Sequence, residues 1–250
     1  MPVHLYGAMC DMRKIRKIAD KRGLIVIEDA AHALEAERDG VRPGELGDSA
    51  CFSFYATKNI TCGEGGAVST DKMEVKEKLQ KMRLHGMDRS ASERYSRGYR
   101  HWDMEALGWK YNMDDIHSAL LLNQLRNIEK YWRRREAICR MYEGAFSKIT
   151  NIRLLKAPVN SKNARHLFTI LTSPEKRDKI LLRLRGRGIG SAVNYRAVHL
   201  LKYYRKTFGY KRGMFPVAEN IGECTVTIPL YPRLTDKEVR YIIQAVEEIS

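Results

Sequence analysis

Apolar positions change period along this chain. Val3 to Tyr6 and Leu24 to Ile27 are short apolar runs, while Met12, Ile15, Ile18 and Ala19 between them recur at helical spacing. Asp11 stands where an N-cap belongs, and Gly23 where the helix stops. A strand, a helix and a strand over this length form a βαβ unit, which predicts a parallel sheet covered on both faces. Two more short strands are predicted near residues 50–54 and 67–70. A long helical stretch follows from Met113 to about Phe146, with Ile116, Ala119, Leu120, Leu122 and Leu125 on its apolar side.

Composition changes at Lys156-Ala157-Pro158-Val159-Asn160-Ser161, a link into a second unit. There His166 to Leu171 and Ile189 to Tyr195 read as strands. Ser173-Pro174 opens a helix with a first-turn proline, and Thr235-Asp236-Lys237-Glu238 is a capping box that opens the last one. Gly186, Gly188 and Gly190 follow a helix and precede a strand, the reverse of the order a dinucleotide fingerprint needs, so they read as a helix stop. The prediction is an α/β chain of two domains: residues 1–148, including the long helix, and a smaller α+β domain, residues 149–250.

At 250 residues the chain can bury a substantial core. No apolar run reaches the length of a membrane span, and the start lacks the pattern of a secretion signal. Five widely spaced cysteines without a CxxC pair fit reduced thiols in a cytoplasmic protein and no metal site. The net charge of +15 favours anionic partners. Its basic residues lie along helices, as in Arg13 to Arg22 and Arg133 to Arg135, which reads first as solvated helix faces. No nucleic-acid-binding motif accompanies the charge.

Chemistry concentrates in two places. Ile25-Val26-Ile27-Glu28-Asp29-Ala30-Ala31-His32 carries an acid at the end of an apolar strand. Phe52-Ser53-Phe54-Tyr55-Ala56-Thr57-Lys58 carries a hydroxyl and an amine, with Gly63-Glu64-Gly65-Gly66 behind them. Ligands of open parallel sheets sit beyond the carboxyl ends of strands, where both segments fall. An imine-forming lysine needs an unprotonated amine in a partly desolvated place, which makes Lys58 a candidate. A pyridoxal ring works as an electron sink while a carboxylate keeps its nitrogen protonated, a role for Asp29, whose bland alternative is capping a helix at Ala30-Ala31-His32. His32 could reach the ring, Ser53 could bind the cofactor phosphate, and the glycines could turn close to it or simply make a tight turn.

Together these residues resemble the nucleotide-sugar aminotransferases of the DegT/DnrJ/StrS type, pyridoxal-phosphate enzymes of fold type I. The likeness runs through nearly the whole chain. Pro2-Val3-His4-Leu5-Tyr6-Gly7, Glu28 to His32 and Ser53 to Gly66 carry it first. Leu107-Gly108-Trp109-Lys110-Tyr111-Asn112-Met113-Asp114-Asp115-Ile116 resembles the dimer-contact segment, with Trp109 where tyrosine is usual. His166-Leu167-Phe168 and Pro229-Leu230-Tyr231-Pro232 resemble landmarks of the small domain. The resemblance implies that Lys58 carries pyridoxal 5'-phosphate covalently and shuttles protons, that Asp29 pairs the ring nitrogen, that His32 contacts the ring and that Ser53 binds phosphate. Asn112 would reach the neighbouring subunit's cofactor phosphate in a homodimer. It further implies ping-pong transfer of an amine from glutamate to a keto sugar on a nucleotide diphosphate, at C4 rather than C3. Arg196 and His199, in Asn194-Tyr195-Arg196-Ala197-Val198-His199, are substrate-binding candidates. The lysine argues against the family's dehydratase branch, where histidine replaces it.

Family members also carry a segment ahead of the strand at Pro2, which holds a phosphate-binding turn and an aromatic residue that stacks on the ring. The expectation is that this chain alone binds cofactor poorly and aggregates unless another polypeptide supplies that part. Two other readings stand beside the enzyme: an inactive or complementing fragment of one, and a basic nucleic-acid-binding protein.

Overall fold

The structure, a computed structural model, describes residues 1–88 and 101–249. The chain forms two compact units. One comprises Met1–Leu5 and Met9–Asn127, the other Tyr6–Ala8 and Ile128–Ser250.

In the first unit, α1 (Met12–Lys21) starts at Asp11, whose Oδ1 accepts the Lys14 N–H at 3.1 Å. Gly23, at φ +60°, follows its end. β1 is Ile27–Asp29 and begins where the predicted strand was expected to finish. The backbone before it is already committed: Val26 N–H donates to Asp48 Oδ2 at 2.7 Å, and Arg16 donates to the Leu24 carbonyl. Leu24 and Ile25 are therefore not strand residues, and Ile25 is 73% exposed. The run at Val3 to Tyr6 is likewise shorter than predicted. Val3 makes a parallel bridge to Asp29, and Leu5–Gly7 then tightens into a single 3-10 turn.

β2 (Ser49–Ser53) pairs in parallel with β1, placing Asp29 opposite Cys51. β3 (Gly66–Ser69) returns antiparallel along β2, so the sheet is mixed, in the order β1-β2-β3. The helix α2 (Met73–Met82) follows β3. The long helical stretch divides in two. Asn127 caps α3 (Asp115–Arg126), and α4 (Ile128–Phe146) resumes at once in the second unit.

That division reflects packing. α4 buries Ile138, Cys139, Tyr142 and Phe146 in the core of the second unit. The same core takes Ile170 and Val226 from an antiparallel sheet of β4 (Arg153–Leu154), β5 (Phe168–Leu171) and β6 (Thr225–Ile228). Helices α5 (Pro174–Gly186), α6 (Lys202–Phe208), α7 (Pro216–Cys224) and α8 (Asp236–Ile249) complete the unit. α5 and α8 contribute Ile180, Leu184, Val239, Ile242 and Val246 to the core. Each such side chain is worth about 1.5–3 kcal/mol when fully buried. The capping box forms, with Thr235 N–H on Glu238 Oε2 at 2.7 Å and Glu238 N–H on Thr235 Oγ1 at 3.2 Å. The predicted strand at Ile189 to Tyr195 reduces to one bridge, between Ala192 and Thr227.

Candidate functional site

The first unit gathers its chemistry where β1 and β2 end. Ala30 N–H donates to the Cys51 carbonyl at 2.9 Å, which keeps the two strand exits side by side. The chain leaving β2 then loops back on itself. Cys62 N–H and Thr61 Oγ1 both donate to the Phe54 carbonyl at 3.0 Å, and Phe54 N–H donates to the Gly65 carbonyl at 2.8 Å. Lys58 sits inside this loop, its N–H on the Tyr55 carbonyl at 2.9 Å. The glycines have a mechanical reason here. Gly63 turns at φ +87°. A Cβ on Gly65 would fall 2.6 Å from Cys62 Sγ and 2.8 Å from Met113 Sδ.

A small depression opens between the strand exits. His32, Ser53 and Lys58 line it with Ala30, Ala31, Phe52 and Asn59. Lys58 is half-buried. Burial pushes its ammonium pKa below the ordinary value, and the negative charge of Asp29 opposes the shift. His32 is held down to about 4, by burial first and by the positive charge of Lys58 second, with Asp29 again opposing. Lys58, His32 and Asp29 are thus one electrostatic group.

Asp29 is part-buried, and its Oδ1 accepts the Ala31 N–H at 3.1 Å. No helix follows it, so the helix-cap alternative does not apply; residues 31–35 run as turns. Ser53 Oγ accepts the Tyr55 N–H at 3.4 Å. Asn112 does not line the depression. It is exposed, and its Oδ1 accepts from Lys110 Nζ.

Arg196 and His199 belong to the second unit. Arg196 is exposed. His199 is buried, its Nε2 is 2.9 Å from Glu219 Oε1, and its ring lies edge-on to Phe215. Glu219 also accepts the N–H groups of Gly213 and Phe215. His199 and Glu219 therefore pin the loop ahead of α7.

Two interactions beside the depression have no counterpart in the sequence reading. Asn59, next to Lys58, donates to Glu35 Oε2 at 2.9 Å. His4 and Glu28 form a fully buried pair. The available signal was Glu28 itself, an acid inside an apolar strand.

An amine with a lowered pKa, a carboxylate, a neutral imidazole and a hydroxyl at two strand exits match the needs of pyridoxal phosphate. The residues present fit that cofactor.

Comparison with known proteins agrees. The sequence profile of the DegT/DnrJ/EryC1/StrS aminotransferase family matches residues 1–247. The uncharacterized protein MJ1066 of Methanocaldococcus jannaschii is 42% identical over 254 aligned positions. The spore coat polysaccharide biosynthesis protein SpsC of Bacillus subtilis is 38% identical over 255. Both alignments take in 100% of this chain, which spans 66% of the length of each relative. Among solved structures, Spr1654 of Streptococcus pneumoniae, described as a sugar aminotransferase in its PMP form, superposes with a TM-score of 0.91 at 29% identity. That match covers 99% of this chain and 68% of Spr1654, whose PLP form is also similar, with a TM-score of 0.88.

Proposed function

The chain belongs to the DegT/DnrJ/EryC1/StrS aminotransferase family, and on that premise we propose that it is the catalytic part of a nucleotide-sugar aminotransferase. The reaction is transfer of the amine of glutamate to a keto sugar, at C4, carried on a nucleotide diphosphate. The observation that carries this reading is the depression lined by Lys58, His32 and Ser53, with Asp29 near enough to act on the charge of both Lys58 and His32. SpsC, by name a polysaccharide biosynthesis protein, supports a place in amino-sugar supply for surface polysaccharide. Among the described residues no helix is long and apolar enough to cross a membrane, and we place the reaction in the cytoplasm, where nucleotide sugars are made.

Bound pyridoxal phosphate supplies an electrophilic carbon and a ring that stores electron density. Lys58 is the covalent anchor for that carbon. A partly desolvated amine spends more time unprotonated, so Lys58 Nζ would be the group that holds the cofactor's aldehyde carbon, with loss of water, and that would carry a proton to and from the substrate carbon. Asp29 would keep a proton on the ring nitrogen. His32, neutral at its lowered pKa, would pack against the ring without adding a cation beside that proton. Ser53 Oγ would supply a hydrogen bond to the phosphate.

The dimer belongs to the same proposal. α3 turns its apolar side outward: Ile116 is 77% exposed, and Leu120, Leu122 and Leu125 are exposed with it, while Leu121 alone on the helix is buried. Leu107, Trp109 and Tyr111 are exposed in the segment before the helix. So much apolar surface fits burial against a second copy. From there Asn112 would reach the partner's phosphate. The first unit also leaves an apolar groove of Met1, Pro2, Ile15, Ile18, Leu24 and Ile25. With relatives longer than this chain, we assign that groove to a further polypeptide segment, in the same chain or another.

Borohydride reduction in the presence of pyridoxal phosphate, followed by peptide mapping, tests the chemistry. The pyridoxyl group is expected on Lys58 and nowhere else. Labelling spread over surface lysines, unchanged in Lys58→Ala, would sink the reading.

A further inference from the structure

Resting on that cofactor reading, we propose that His4 and Glu28 are positioning residues: a buried pair that sets the carboxylate of Asp29 against the cofactor from the opposite face of the strand. Both side chains are fully buried, and His4 Nε2 lies 2.7 Å from Glu28 Oε2. The Cys10 N–H donates to His4 Nδ1 at 3.2 Å, so the ring proton resides on Nε2 and points at the Glu28 carboxyl. The second oxygen of Glu28 is also used, accepting the Gly44 N–H at 3.2 Å. The surroundings are shaped to that carboxyl, since a Cβ on Gly47 would meet Glu28 Oε1 at 2.4 Å.

The reason for such an arrangement lies in the backbone. Asp29 N–H donates to the Pro2 carbonyl at 2.9 Å, and His4 N–H donates to the Asp29 carbonyl at 3.0 Å. Residues 2–4 thus form one wall of the position that holds Asp29. Two hydrogen bonds are too short a ladder to stay in register unaided. Side chains alternate across a strand, so Glu28 points away from the face that presents Asp29. Bonded to His4, it ties the Pro2–His4 segment to β1 from behind, while the charge of Asp29 acts on Lys58 and His32. A buried polar pair with every partner in place specifies one geometry.

The test is a cycle of Glu28→Gln, Asp29→Asn and the double variant, read as dissociation constants for pyridoxal phosphate, with amide hydrogen exchange on the cofactor-free chain. Glutamine cannot accept on both sides, so Glu28→Gln is expected to weaken binding about ten-fold, and the double variant to bind within about two-fold of Asp29→Asn alone. The amides of His4 and Asp29 are expected to exchange about ten-fold faster, with the β2–β3 amides unchanged. Multiplying effects in the double variant, or uniform acceleration of all amides, would show a role in general stability and overturn the proposal. If Glu28→Gln does not fold, His4→Gln serves as the conservative variant, read by the same binding and exchange measurements. Its amide can still donate to Glu28, so it is expected to bind within about three-fold of wild type with the His4 and Asp29 amides still protected; a loss of about ten-fold with those amides still protected would overturn the proposal. A wild-type chain that binds no cofactor counts against the function proposed above, while the exchange pattern still decides the positioning role.

Discussion

At the scale of single residues, His32 reports the state of the site. Its pKa of about 4 lies below the ordinary 6.5, so between those values the unfolded chain takes up a proton that the folded chain refuses. Stability is complete above 6.5 and declines as pH falls through that window. The His32 ring resonances are expected to titrate near 4 in the cofactor-free chain. In Lys58→Ala the midpoint should rise without reaching 6.5, because burial is the larger cause and remains. A wild-type midpoint at 6.5 would contradict the packing of the depression. Gly65 gives a second test. With a Cβ directed at Cys62 and Met113, Gly65→Ala is expected to cost about 1–3 kcal/mol in urea unfolding, from overpacking. Asp29, His32, Ser53 and Lys58 drew attention through their place at two strand ends and through the family resemblance, and the structure brings His32, Ser53 and Lys58 to one depression with the charge of Asp29 close by. The partners of Glu28 were hidden, since His4 lies 24 positions away and only the folded sheet brings it near.

At the scale of elements, local signals were readable and tertiary ones were not. The Asp11 cap, the Thr235–Glu238 box and the turn at Gly23 depend on neighbours in sequence, and each formed. α3 shows the opposite case. Its apolar spacing announced a helix with an apolar side, but spacing carries no information on what covers that side, and among the described residues nothing covers Ile116. The shifted start of β1 has a similar origin in Asp48, which takes the Val26 N–H, pairs with Arg16 and Lys72, and so joins α1 to both strand ends. The Lys72 ammonium and the Val26 N–H hold the Asp48 carboxyl well below the usual range. Its contribution is therefore present above the ordinary carboxylate pKa and lost as pH falls below it. Asp48→Asn is expected to lower the urea midpoint at neutral pH and to narrow its difference from wild type in acid. Equal midpoints at neutral pH would show that the link carries no stability. In the second unit, Glu219→Ala should release Gly213 and Phe215 and open the loop ahead of α7 to proteolysis. An unchanged cleavage pattern would mean that the loop is held by its aromatic side chains instead.

At the scale of the whole molecule, the net charge of +15 is compatible with the diphosphate-bearing substrate proposed above. Association should follow the apolar face of α3 rather than the charge. If the proposed dimer forms, Ile116→Asp is expected to turn it into a monomer in sedimentation velocity, and a dimer that persists would place the interface elsewhere. The claim on which the rest depends is that Lys58, Asp29 and His32 form a site for pyridoxal phosphate that accepts an amine. The most direct test is the absorbance spectrum of the chain titrated with pyridoxal phosphate, before and after glutamate, beside Lys58→Ala. Because binding by this chain alone is expected to be weak, the account predicts that high cofactor concentrations bring out a band near the visible edge that is absent in Lys58→Ala and bleached by glutamate. A spectrum identical to free cofactor, or a band indifferent to Lys58→Ala, would contradict it.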